Sequence, residues 1–218
     1  MTKATKILLF VASLMLAGCI TTFKEESPQY TIYSRCHDPI YVQISTARGH
    51  KGARSQITAE TLNDVQTPEG LKKSPSGPEQ FNGGIFAKFL HEITRCQVLP
   101  VEKDNPPESY LDIEIVTDAS KESFSFWNIM TIATLYIVPS KVEELIEVRV
   151  NLIKDGKSVS HQEMSRGRFV WFGMVLLPAM PFYPSYSVGH ELVLLQLASD
   201  TAAYLYAQEP KRLRQDIK

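Results

Sequence analysis

The ten residues from Glu144 to Ile153, ELIEVRVNLI, constrain this chain more than any other stretch. Ile146, Val148, Val150 and Leu152 recur with period two, so they share one face of a strand while Glu147, Arg149 and Asn151 take the other. Asp155-Gly156 follows, a pair suited to the two-residue turn whose backbone twist matches a hairpin. KSVSHQEMSR (157–166) then returns as the antiparallel partner. A hairpin with one apolar face requires something to pack on it, so the chain must build a layered sheet protein.

The remaining segments fit that requirement. YTIYS (30–34) and PIYVQIS (39–45) are rich in β-branched and aromatic residues, and read as two strands or one interrupted at Arg35-Cys36-His37-Asp38. Residues 46–80 are loop-like, broken by Gly49, Gly52, Pro68, Gly70, Pro75, Gly77 and Pro78. Phe86, Phe89, Leu90 and Ile93 have helical spacing within 85–96. QVLPV reads as a short strand, Asn105-Pro106-Pro107 as a turn, and LDIEIV (111–116) as an alternating strand. Residues 190–208 form a second helix stopped by Pro210, and 211–218 a solvated basic tail. With 218 residues and 44% hydrophobic content there is material for one core, placed at 30–210. The expected fold is α+β: a mostly antiparallel sheet with two helices packed on it. A net charge of −1 leaves no electrostatic footprint for nucleic acid.

The first 19 residues, MTKATKILLFVASLMLAGC, carry Lys3 and Lys6, then an apolar run from Ile7 to Ala17 too short to span a bilayer. The run ends in Leu16-Ala17-Gly18-Cys19, which closely resembles the bacterial lipobox. That resemblance implies a signal peptide over 1–18, cleavage before Cys19, and acylation of its sulfur and freed amine. Residues 19–29 then read as a lipidated tether. Ile20 follows the cysteine where inner-membrane retention would place Asp. By resemblance to Gram-negative sorting this implies the periplasmic face of the outer membrane. With Cys19 acylated, Cys36 and Cys96 remain, an even pair in an oxidising compartment. They are expected to form a disulfide, with two buried thiols as the alternative.

FAKFLHEITRCQVLPV, YLDIEIV and EVRVNLIKDGKSV are together similar to small envelope accessory lipoproteins. These are the curli-secretion, penicillin-binding-protein activator and transporter auxiliary types. The resemblance implies a helix, a strand and a hairpin, and a partner that is another envelope protein.

Two stretches depart from an ordinary domain: 123–140 (SFSFWNIMTIATLYIVPS) and 169–189 (FVWFGMVLLPAMPFYPSYSVG) hold no charged residue, and together they carry both tryptophans. The first precedes one hairpin strand and the second follows the other. Both are therefore expected as apolar insertions at one end of the sheet. Four readings stay open: buried core, a transmembrane hairpin, a membrane-dipping edge, or a docking surface. Pro178, Pro181 and Pro184 count against the transmembrane reading. Trp127, Tyr136, Trp171, Phe172, Phe182 and Tyr183 are the contact residues that the last two require.

Motifs for chemistry are missing. His91-Glu92 and His190-Glu191 lack the second histidine of a zinc-protease helix. Neither a Gly-x-Ser-x-Gly elbow nor a phosphate loop occurs. His37-Asp38 is explained as polar turn residues. Arg48, Lys51 and Arg54, with His50, could contact an anionic sugar or lipid phosphate, or form a solvated loop. No cofactor and no metal is called for. The expectation is a non-enzymatic envelope lipoprotein that docks a partner or membrane, the alternative an envelope enzyme acting on glycan or lipid.

Overall fold

A computed structural model describes residues 19–24, 32, 35–36, 38–49, 54–57, 62, 78–102, 105–119, 126–134, 139–172, 176, 182–209 and 213–214. The fold is α+β, a mostly antiparallel open sheet with three helices among the described residues. The chain divides into two compact units.

The larger unit takes residues 28–118, 146–166 and 192–218. Its strands are β2 (Arg35–Cys36), β3 (Ile40–Arg48), β4 (Arg54–Gln56), β5 (Val98–Pro100), β6 (Ser109–Ala119) and β9 (Leu213–Arg214). It also holds most of β7 (Ser140–Lys154) and β8 (Lys157–Phe172). Here the strands run β8-β7-β6-β3-β4, with β5 also on β3. The hairpin forms as expected. Asp155 and Gly156 have φ of 50° and 73°, the left-handed pair that a two-residue hairpin turn demands.

The sheet is not wholly antiparallel. β6 runs parallel to β3, from Val42 opposite Leu111 to Arg48 opposite Thr117, and β5 is parallel to β3 at Ile40–Val98. Parallel neighbours need a crossover, which α1 (Pro78–Thr94) supplies between β3 and β5. Val42, Ile44, Leu111, Ile113, Ile115, Val148 and Val150 are buried, as are Phe86, Leu90 and Ile93 on α1. The helix starts seven residues before the expected 85, with Pro78 at its first position, where no amide partner is lost. It stops at Thr94, and Arg95 takes the left-handed conformation with φ 58°. Thr94 Oγ1 accepts from the Cys96 amide at 3.2 Å, and the His91 Nδ1 lies 2.6 Å from the Cys96 carbonyl oxygen. His91 thus serves the turn that aims Cys96 at Cys36. The two form the expected disulfide, with Cα atoms 5.0 Å apart.

Other expectations need correction. Part of the basic tail is not solvated coil: β9 pairs antiparallel with β2, placing Leu213 opposite Cys36. Of the strand expected at 30–34 only Ile32 is described, exposed and outside any strand. The loop-like stretch contains β4, antiparallel to β3 with Thr46 opposite Ser55. A third helix, α2 (Phe126–Ala133), lies inside the first apolar stretch. Without a charged residue anywhere in 123–140, no polar face stands out to mark the helix.

The smaller unit takes residues 1–27, 119–145 and 167–191. It holds α2, the start of β7, the end of β8, and the first turns of α3 (Tyr186–Gln208). It also holds β1 (Cys19–Phe23), an edge strand where a tether was expected. β1 is antiparallel to β8, with Cys19 opposite Phe172, Ile20 opposite Trp171 and Thr21 opposite Val170. Ile-Thr-Thr-Phe is a good strand sequence, and its place at the head of the expected tether disguised it.

Candidate functional site

The smaller unit gathers the features that bear on function. Its centre is Arg168, fully buried on β8 in phase with Val170, and Glu144, buried on β7 in phase with Ile146. Arg168 Nε donates to Glu144 Oε2 at 2.5 Å, and Nη2 meets the same oxygen. Nη1 donates to the Tyr186 carbonyl at 2.7 Å, while Nη2 meets His190 Nδ1 at 3.1 Å. The Tyr186 ring covers the guanidinium at 4.4 Å, and its hydroxyl donates to Glu144 Oε1 at 3.4 Å. Burial pushes the Glu144 carboxyl up, but contact with His190 and the charge and hydrogen bonds of Arg168 outweigh it. The net position is below the ordinary carboxylate range. Burial, then the Glu144 charge, raises the Tyr186 hydroxyl.

Such a cluster clamps the first turn of α3 to two strands. It was also the chief omission of the sequence reading. Glu144 and Arg168 sit in phase with core residues on alternating strands, and a charge at a core position is the signal that marks such a pair.

β1 packs against the same turn. The Thr21 amide donates to the Pro184 carbonyl at 2.9 Å, and its hydroxyl donates to the Ser185 carbonyl at 3.3 Å. Gly189 makes this approach feasible, because a Cβ there would lie 2.4 Å from Thr21 Cγ2. Gly189→Ala is therefore expected to displace β1 at a cost of about 1–3 kcal/mol. Hydrogen exchange should report it as faster exchange of the Thr21 amide.

The expected contact residues separate into groups. Trp171 is half-buried and already engaged: its Nε1 donates to Thr22 Oγ1 at 3.0 Å, and Lys141 Nζ stands 5.7 Å from its ring and 4.7 Å from that of Phe169. Phe172 is half-buried opposite Cys19. Phe182 and Tyr183 point outward, 83% and 47% exposed, beside Tyr186 and Val188, each 48% exposed. Trp127 lies on α2 with its side chain outside the described residues, as Tyr136 is altogether. The second apolar stretch is thus no single element: it ends β8, and after 173–181 it resumes as an exposed turn leading into α3.

The basic residues do not form a free cationic site among the described residues. Arg48 is exposed at the end of β3 and Lys51 lies outside the described residues. Arg54 Nε pairs with Glu114 Oε1 at 2.7 Å, and Glu114 also meets Arg149. A cleft of about 460 Å³ opens beside β3, lined by Gln43, Gln56, Pro100, Glu102, Pro106 and Tyr110 among others. No group of three His, Cys, Asp or Glu side chains among the described residues could hold a metal ion. No described helix is long and apolar enough to cross a membrane.

No protein-family model matches the chain, and no curated protein matches its sequence. Among solved structures it is similar to protein XCC0632 from Xanthomonas campestris, which bears the family description DUF330. The identity is 10%, over 84% of this chain and 96% of that one, with a TM-score of 0.39. It is also similar to the PelC dodecamer from Paraburkholderia phytofirmans in two crystal forms. There the identities are 13% and 14%, over 81% of this chain and 98% of that one, with TM-scores of 0.26 and 0.23. Likenesses of this strength carry no argument about activity or assembly.

Proposed function

We propose that this chain is a non-enzymatic lipoprotein of the bacterial envelope, acylated on Cys19 and held at the periplasmic face of the outer membrane. It acts there as an accessory or assembly factor that docks a partner or the membrane through its apolar end. The observation that carries this reading is Cys19 itself: it closes the Leu16-Ala17-Gly18-Cys19 sequence and opens β1. A leader over 1–18 that is cut away leaves β1 intact, with the first mature residue paired to Phe172. The Cys36–Cys96 bond fits an oxidising compartment. Several acyl chains, at ~0.8 kcal/mol per buried CH₂, would make the attachment effectively permanent.

Cys19→Ser is expected to abolish incorporation of labelled palmitate and to leave the precursor uncut, while wild type is labelled and fractionates with membranes. Wild-type protein recovered soluble and unlabelled would overturn the proposal. The rival enzymatic reading has the cleft at Gln43, Glu102 and Tyr110 as its place, and the described residues show no base paired with a nucleophile there.

A further inference from the structure

We propose that the turn Phe182–Ser185, with Tyr186 and Val188 on the first turn of α3, rests in the headgroup layer of the bilayer that holds Cys19. The inference depends on the acylation of Cys19 proposed above, and adds which surface meets the lipid and how closely.

The leash length decides it. A lipoprotein with a long tether can hold its folded part away from the membrane, because each extended residue adds up to about 3.5 Å. Here the acylated residue is itself the first of β1, opposite Phe172, so no residues intervene. Two residues along the strand, the Thr21 amide donates to the Pro184 carbonyl at 2.9 Å. That puts Pro184 within roughly 10 Å of the Cys19 Cα, given a strand rise of 3.2–3.4 Å per residue. Phe182 and Tyr183 precede it directly. The polar layer between water and hydrocarbon is about 5–8 Å deep on each side, so a lipid on Cys19 keeps this turn within reach of it.

What the turn presents suits that place. Phe182 is 83% exposed, and Tyr183, Tyr186 and Val188 are about half exposed. Large side chains left in water forfeit ~1.5–3 kcal/mol each relative to burial, and aromatic rings with a polar edge favour the interface. The segment 169–189 has no charge to desolvate. Tyr186 is held over Arg168 and gives its hydroxyl to Glu144, so it offers the lipid only the outer part of its ring. Trp171 is not part of it: it is in phase with Phe169 on β8, on the face opposite the Arg168 that Tyr186 covers.

A test follows from the cysteine inventory. The chain has three cysteines, of which Cys36 and Cys96 are bonded and Cys19 would be acylated. Phe182→Cys therefore supplies one reactive thiol for a nitroxide, and Tyr183→Cys an independent second. The mature lipidated protein is placed in vesicles of phosphatidylethanolamine and phosphatidylglycerol, and collision rates with oxygen and with a water-soluble nickel chelate are compared. Mass measurement on the same sample reports acylation. The expected result is acylated protein with both labels shielded from the chelate, at depths of about 5–10 Å. Acylated protein whose labels collide with the chelate as freely as in buffer overturns this inference and leaves the anchor standing, with the turn free for a protein partner. Protein without acyl chains overturns the anchor, and the inference with it.

Discussion

Arg168→Ala is expected to cost about 3–5 kcal/mol, because it leaves Glu144 buried without a cation. Glu144 is 6% exposed and Arg168 fully buried, so solvent screens the pair little. The double change Arg168→Met with Glu144→Leu should recover most of that loss, since an apolar pair removes both desolvation penalties. The contribution also depends on pH with a definite sign. The folded-state Glu144 carboxyl lies below its ordinary range, so the unfolded chain binds the proton more readily. Its stabilisation is complete above the unfolded value near 4.3, and is lost as pH falls through the lower folded value. Thermal denaturation followed by circular dichroism from about pH 7 to about pH 3 should show this decline. Glu144→Gln should flatten the Glu144 share of the slope. A wild-type acid limb unchanged by Glu144→Gln would contradict the assignment.

Loss of the Cys36–Cys96 bond is the second large effect. The bridge joins residues 60 apart, and opening a loop of that size releases roughly 4 kcal/mol of constraint on the unfolded chain. Cys36 also pairs through its backbone with Leu213, so the short β2–β9 ribbon loses its anchor at the same time. Cys36→Ser and Cys96→Ser should each lower the denaturant midpoint in line with that value, and reduction of wild type should reproduce the shift. A midpoint insensitive to reductant would show that the bond contributes nothing to stability.

How far the sequence revealed this fold follows from how local each signal was. The β7–β8 hairpin was legible because both strands and their turn lie in one continuous stretch, down to Asp155-Gly156. The pairing of β3 with β6 was not, since nothing within either strand names a partner some seventy residues away, and parallel register depends on where α1 crosses. β1 was hidden for another reason: a strand at the head of an expected tether reads as linker until its partner, Arg168–Phe172, is known. The two uncharged stretches stand out by composition alone. Their composition could not tell Val170, buried in β8, from Phe182, exposed in the turn. The Arg168–Glu144 pair was visible in principle, as two charges in core phase, but only register shows that they meet.

The central claim is that Cys19 is both the lipid-bearing first residue and the start of β1. The most direct test is the mass of the N-terminal peptide of the protein purified from membranes of a Gram-negative host. The account predicts a peptide beginning at Cys19, carrying diacylglycerol on sulfur and an acyl chain on the α-amine. A peptide that retains Met1, or one cut elsewhere with an unmodified amine, would contradict it.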